Sequence, residues 1–549
     1  MKRIVVILFF ISHSAFSQSE QDMDSSRLLQ NIIIKAYENN YKLIDVAAPV
    51  SVVSQADLNR YNNTSVLDAL NTKPGVRMEE RSPGSYRLSI RGSSLNSPFG
   101  VRNVKVYYDG IPYTDPGGNT YLNQLGFYNF QSIEVIKGPA GSLYGAGTGG
   151  VLLIRNDAGN FNPGAGISYE YGSYDLNNIN ANVRFGNEKA NNTISYQHLA
   201  SNGYRDHTAM KRDVVSWDAK ISSDEKHQLS AHFLFGDLYY QTPGALTKSE
   251  YDANAKAARP AFGVFPSAQT AQAAIFQKSF LAGFSYVNKI NNYWENTTTL
   301  YGAYAQLRNP NFRNYSRTSE PHLGGRTLFQ FKKQFSQTWI TFHAGAEFQQ
   351  SFNTQRIYGT KNGNPDTLQT DDEIYNNQGF VFLQMNAEFS HGWILTTGAS
   401  LNESGLNFTR LSAIPAEVEN RKFNNQVAPR FALLKKITPM VSVYGSIARG
   451  FSPPTTAEIL PSTNNFNTTL QAEQGIDYEA GTRGTFIKNK LYFDVNAFFY
   501  ELRNAIVQRR DSSGADYFQN AGSARQNGIE TYLSYELINS EYHFFNHVL

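Results

Sequence analysis

Cysteine is absent from all 549 residues, which excludes a disulfide framework and any thiolate metal site. After Ile11 no apolar run approaches the roughly 20 residues that a membrane-crossing helix needs. Any crossing of a bilayer by the mature chain must therefore use strands. Charge of one sign is scarce as well: 49 Lys and Arg face 46 Asp and Glu, a net +3, which argues against nucleic acid as a partner. The ten His are scattered, with His198 and His207 near a strand end and a loop and His543 and His547 in the last segment, and none forms an HExxH zinc pattern. Gly145 to Gly150 is glycine-rich but lacks the Lys-Ser/Thr ending of a phosphate loop. No catalytic constellation, cofactor site or metal site is expected, and the chain does not read as an enzyme.

What the chain does contain begins with a leader. Lys2 and Arg3 precede the apolar run Ile4 to Ile11, and Ala15-Phe16-Ser17 puts small residues where a signal peptidase reads them. Residues 1–17 are read as a signal peptide, with cleavage before Gln18 and export of the remainder. A polar tail, 18–40, follows and is interrupted by Asn31-Ile32-Ile33-Ile34-Lys35-Ala36. Such an extended β-branched hexamer can add as a strand to a partner's sheet edge, or serve as the first strand of the next domain.

Residues 41–158 read as a small α+β domain. Val50-Ser51-Val52-Val53 is a strand, Ser54 with Asp57 and Ser65 with Asp68 both fit a helix capping box, and Lys73-Pro74-Gly75 stops the second helix. Short strands closed by Gly or Pro then recur: Ser89-Ile90-Arg91-Gly92, Val104 to Pro112, Ile133 to Pro139, and Gly145 to Val151. Arg91, Lys105, Glu134 and Lys137 sit in or beside these strands. A free-standing sheet would rarely bury such charges, whereas a sheet enclosed by a polar wall can pair them.

From Ala165 onward, segments of about ten residues alternate with period two. Leu491, Phe493, Val495, Ala497 and Phe499 interleave with Asp494, Asn496 and Tyr500; Ile476, Tyr478 and Ala480 with Asp477, Glu479 and Arg483; Ile529 and Leu533 with Glu530 and Ser534. The apolar face should meet lipid and the polar face a lumen. The 33 Tyr and 37 Phe suit the aromatic girdles of such a wall. A soluble two-sheet sandwich would alternate too, but its connections would not. Here short turns trade places with long polar stretches, Thr242 to Gln277, Gly359 to Asn376 and Ser452 to Gln474, which predict loops on one face.

The motifs of Tyr86 to Arg155, in their order, resemble the plug domain of TonB-dependent outer-membrane receptors. Gly450 to Thr455, Asp477 to Gly481, and Tyr517 to Gly522 through Gly528-Ile529-Glu530 resemble the barrel motifs of the same family. The resemblance implies an all-β transmembrane barrel, 159–549, with an N-terminal α+β plug inside it. It implies a monomer in outer-membrane lipid that takes up a scarce ligand, driven by the partner TonB through a TonB box at Asn31, Ile32, Ile33, Ile34, Lys35 and Ala36. It further implies a plug–barrel charge cluster of Arg91, Lys137, Glu479 and Glu530, with Lys137 where Arg is common; Lys lacks the bidentate fork, so Arg91 should carry more of the cluster.

Ligand-binding turns would include Ser97, Phe99, Tyr113, Asp115 and Asn119. A ferric siderophore or ferric citrate-type chelate is the expected ligand, because Gln241 to Thr247 with Ala258-Arg259-Pro260 resembles a loop of iron-chelate receptors. Cobalamin or another metal chelate is the alternative, and a secreted β-rich adhesin or lectin the rival of another class. About 16 or 17 strand-like segments are countable, against the roughly 22 of plugged outer-membrane transporters. The final strand, Tyr542 to Leu549, reads as cut short, so a C-terminally truncated barrel is expected.

Overall fold

The computed structural model describes residues 33–536 apart from 39, 62–63, 94–99, 129, 157–160, 462–464, 488–489 and 513–514. The signal peptide, Asn31, Ile32, Ser97, Phe99 and the terminal segment with His543 and His547 lie outside the described residues. Among the described residues no helix is long and apolar enough to cross a membrane.

Among the described residues the larger domain is one antiparallel sheet of 17 strands, from Gly164–Gly172 to Ser523–Tyr535, bonded in chain order. One position is shared. Val418–Lys422 pairs with the outer half of Trp393–Arg410, and Gln426–Thr438 with its inner half. Among the described residues no pairing joins the first strand to the last.

Alternation decides which way each strand faces. In Ser523–Tyr535, Ile529 and Leu533 are 75% and 64% exposed while Glu530 is 8% exposed. Arg212 and Arg483 are wholly buried inside, as are Asn178 and Asn180. A soluble sandwich would bury its aliphatic face, so this inverted wall is a transmembrane β-barrel with a polar lumen.

Connections differ at the two ends. Residues 187–190, 224–226, 290–293, 336–337 and 439–440 are short turns on one rim. On the other rim, residues 242–273 carry the helix Lys248–Ala253, 453–472 carry Thr456–Ile459, and 504–522 carry the hairpin Ile506–Arg510 with Asp516–Asn520. One expected loop is instead a hairpin. Gly359 to Asn376 lies mostly within the strands Thr338–Lys361 and Asn364–Glu388, which turn at Asn362-Gly363 with φ of 49° and 77°. Two residues at positive φ make the tight turn whose twist matches the flanking strands, and Asn-Gly is its preferred sequence.

The smaller domain sits against the lumen face. Its main sheet has the order Val50–Ser54, Ser132–Lys137, Gly150–Arg155, Val104–Tyr108, Ile111–Pro112, and a second sheet joins Val76–Glu80, Tyr86–Ile90 and Gly100–Val101. The helix Gln55–Asn59 starts with the expected reciprocal box: Asp57 N–H donates to Ser54 Oγ at 3.2 Å and Ser54 N–H to Asp57 Oδ2 at 3.0 Å. The second expected box does not form. The helix Leu67–Asn71 has Val66 as its N-cap, and Ser65 Oγ accepts instead from Leu67 N–H at 3.1 Å. Ser65 stands one residue too early, so its hydroxyl closes a local turn rather than a cap.

Candidate functional site: the plug and its barrel contacts

The strand Tyr86–Ile90 ends at Arg91, whose φ of 51° turns the chain and lets its N–H donate to Gly75 O at 2.7 Å. The turn aims the guanidinium at the wall. Arg91 Nη1 lies 2.6 Å from Glu479 Oε1 and 3.2 Å from Asp477 Oδ2, while Nε and Nη2 donate to the two oxygens of Glu530 at 2.9 and 3.2 Å. Lys137, at the end of its strand, places Nζ 3.0 Å from Glu530 Oε2 and donates to Pro74 O at 2.7 Å. The Phe498 ring lies under the Arg91 guanidinium, 4.1 Å from its centroid.

The structure thus brings Arg91, Lys137, Glu479 and Glu530 together and adds Asp477. Three carboxylates meet two cations. Arg91 makes the fork and Lys137 a single contact, as their head groups dictate. Burial pushes the Lys137 ammonium below its usual range, opposed by Glu530. Removing one partner of a buried pair costs about 3–5 kcal/mol, because the other charge is left without its counterion.

Two further clusters were not singled out in the sequence. Lys105 Nζ lies 2.5 Å from Glu347 Oε1, and Tyr107 O–H donates to Glu347 Oε2 at 2.8 Å. Arg326 reaches the same Oε2 at 2.9 Å, donates to Leu143 O at 3.2 Å, and pairs with Glu38 Oε1 at 3.0 Å. Arg102 forks onto Glu458, with Nη2 2.8 Å from its Oε2, and donates through Nη1 to Glu473 Oε2 at 2.8 Å. Lys105 stands in its strand as a charge in need of a partner, and that partner lies 242 residues away, beyond any local signal. Glu458 was detectable, since Thr455-x-x-Glu458 forms a capping box that also orients the carboxylate.

The segment Ile33 to Ala36 lies against the plug. Ile33–Ile34 pairs with Tyr41–Lys42, leaving Ile33 57% exposed and Ile34 buried. Lys35 and Ala36 donate their backbone N–H groups to the Glu134 carboxylate at 3.0 and 2.8 Å, and Tyr37 N–H donates to Tyr144 O–H at 2.9 Å. Burial raises the Glu134 carboxyl above its usual range, opposed by those two N–H groups and by the charges of Arg155 and Lys35. Glu134, the fourth of the strand charges, therefore takes its hydrogen bonds from backbone donors, with the side chains of Arg155 and Lys35 acting on it through charge alone.

Tyr113, Asp115 and Asn119 belong to a plug loop at the long-loop rim, where Thr456 N–H donates to Gly117 O at 3.0 Å and Gln378 Nε2 to Pro116 O at 2.9 Å. Asp115 accepts from Asn119 N–H at 2.8 Å and from Asn119 Nδ2 at 3.1 Å, and Tyr113 O–H donates to Tyr121 O at 2.9 Å. Both Asp115 oxygens are thus engaged in closing their own loop. Burial raises the Asp115 carboxyl, opposed by His322. The arrangement gives the loop a fixed shape at the rim.

A plug family model, TonB-dependent Receptor Plug Domain, matches residues 42–151, and TonB dependent receptor-like, beta-barrel, matches residues 257–547. Among solved structures the chain resembles the ferric citrate transporter FecA in its unliganded form, with 18% identity and a TM-score of 0.74 over 90% of this chain and 76% of that one. It also resembles the siderophore receptor PiuA from Acinetobacter baumannii, with 17% identity and a TM-score of 0.71 over 91% and 78%. The hemophore receptor HasR of Serratia marcescens, solved with its hemophore HasA and heme, matches at 14% identity and a TM-score of 0.69 over 90% and 80%. At these identities the likeness is one of fold. With the barrel model alone covering more than half of the sequence, the chain belongs to the TonB-dependent receptor family of the outer membrane.

Proposed function

We propose that this receptor imports a ferric siderophore or ferric citrate-type chelate across the outer membrane of a Gram-negative-type bacterium, as a monomer driven by TonB. The observation that carries the reading is the plug loop Tyr113 to Asn119, held at the long-loop rim by Thr456 and Gln378. A small ligand entering from outside would meet that loop, with Tyr113, Asp115 and Asn119 on it, between the long loops. Ser97 and Phe99, which lie outside the described residues, belong to this proposal as sequence candidates alone. The ligand class is supported by neighbours of like fold, a ferric citrate transporter and a siderophore receptor, and by the resemblance of Gln241 to Thr247.

In this reading Asn31 to Ala36 is the TonB box. Its backbone adds as a strand to the partner, and a pull on it strips Lys35 and Ala36 from Glu134. The cluster of Arg91, Lys137, Glu479 and Glu530, with Asp477, holds the plug to the wall until then. A secreted adhesin would have no use for an enclosed charged plug. The test is uptake of radiolabelled iron, presented as ferric citrate and as a panel of siderophores, by cells expressing the receptor as their sole importer of this kind. Iron uptake from at least one chelate is expected, abolished without TonB. Uptake of cobalamin with none of any iron chelate would replace this ligand class by the alternative.

A further inference from the structure

Between the plug and the wall, toward the short-turn rim, lies a cavity of about 570 Å³ lined by polar groups including Asn182, Asn191, Gln228 and Glu295. Three side chains with metal-ligating atoms converge on its edge. Asp109 comes from the plug, where Asp109-Gly110, with φ of 46° and 81°, turns Val104–Tyr108 into Ile111–Pro112. Asp218 and His232 come from the barrel and stand directly opposite each other on adjacent strands, Met210–Ser223 and His227–Gln241. Their separation in sequence matches no metal motif, which is why none was expected.

The three groups are spaced closely enough to share one ion, and His232 Nδ1 and Asp218 Oδ1 are hydrogen-bonded to each other. His232 Nδ1 lies 2.9 Å from Asp218 Oδ1 and 3.6 Å from Asp109 Oδ2, and the three ligand atoms all fall within 4.8 Å of one another. Tetrahedral ligands about 2.0–2.1 Å from an ion stand roughly 3.3 Å apart, and the two separations measured from Nδ1 lie on either side of that value. The remaining oxygens are held from behind by one residue: Asn156 N–H donates to Asp109 Oδ1 at 3.0 Å, and Asn156 Nδ2 to Asp218 Oδ2 at 3.2 Å. Outer partners of this kind orient ligating carboxylates.

The donor chemistry points the same way. One imidazole edge faces two carboxylates, a mixed nitrogen and oxygen donor set of the kind divalent transition metals take. An imidazole with two carboxylates selects a first-row divalent ion over calcium, which prefers all-oxygen shells. The cavity beside the site leaves room for water as the remaining ligand.

We propose that Asp109, Asp218 and His232 form a divalent transition-metal site that bridges the plug to the barrel wall on the short-turn side. It does not depend on which ligand the receptor imports. The test uses the full-length receptor in detergent, stripped with chelator and titrated with Co²⁺ by absorbance and with Zn²⁺ by calorimetry. Saturable binding of one ion per chain is expected, weakened about 100-fold or more in H232A and D109N and about 10- to 100-fold in N156A, the usual effect of losing an outer partner. Heat-modifiable gel mobility identifies any variant whose barrel has not formed, and D109N, which changes only a plug turn, leaves the barrel strands intact. Absence of saturable binding, or D109N and H232A titrating like the parent, overturns the proposal.

Discussion

One guanidinium and one carboxylate, Arg91 and Glu530, are joined by two hydrogen bonds of 2.9 and 3.2 Å across the seam between plug and barrel. Both side chains are nearly dry, 4% and 8% exposed. The pair should therefore couple energetically as a surface pair does not. In a double-mutant cycle of R91A and E530A, with plug release read by protease access, a coupling of about 1 kcal/mol or more is expected. Additive effects would show that the two act independently.

Arg91→Lys tests the fork itself. A lysine keeps the charge but cannot bond both oxygens of Glu530 while reaching Glu479 and Asp477. Plug release should increase for R91K, by less than for R91A. Equal behaviour of R91K and the parent receptor would show that charge alone suffices.

The turn at Gly75 makes a steric prediction. A Cβ there would lie 1.9 Å from Glu530 Oε1, and the φ of +74° disfavours any other residue. Gly75→Ala should displace Glu530 and loosen the plug by about 1–3 kcal/mol. Protease access to the plug in G75A, compared with that of G110A, separates the two causes, because a Cβ at Gly110 meets open space despite its φ of +81°. If the two variants loosen the plug equally, backbone strain rather than the clash is responsible.

Ile33→Pro removes a backbone donor from the segment assigned to TonB. Uptake should fail while binding of the iron chelate at the cell surface survives. Normal transport by I33P would move the energy-coupling segment elsewhere in the chain.

How much of this was legible depended on whether the signal was local. Period-two alternation reports a wall with lipid on one side, so Ile529, Glu530 and Leu533 were assigned their faces correctly. The same rule failed for Gly359 to Asn376. There the strands Thr338–Lys361 and Asn364–Glu388 are polar on both faces and apolar patterning stops, yet pairing continues to Lys361↔Asn364. Asn362-Gly363 was the overlooked sign. Asp477 was placed on the lumen face but not in the charge cluster, although it shares that face with Glu479 two residues on. The pairing of Lys105 with Glu347 could not be read, because a plug strand and a distant barrel strand meet only once the barrel is built, and the capping box at Thr455 marks Glu458 without showing that Arg102 is its partner.

The stitches between Ile33 and Tyr37 lie in series along the chain: the short pairing with Tyr41–Lys42, then Lys35 and Ala36 on Glu134, then Tyr37 on Tyr144. Tension applied at the N-terminal end loads them one after another, as in unzipping, and not in parallel, as in shear. The force needed to complete detachment is then set by the strongest single stitch rather than by their sum, so a segment with several bonds can still be drawn off by a weak, sustained pull.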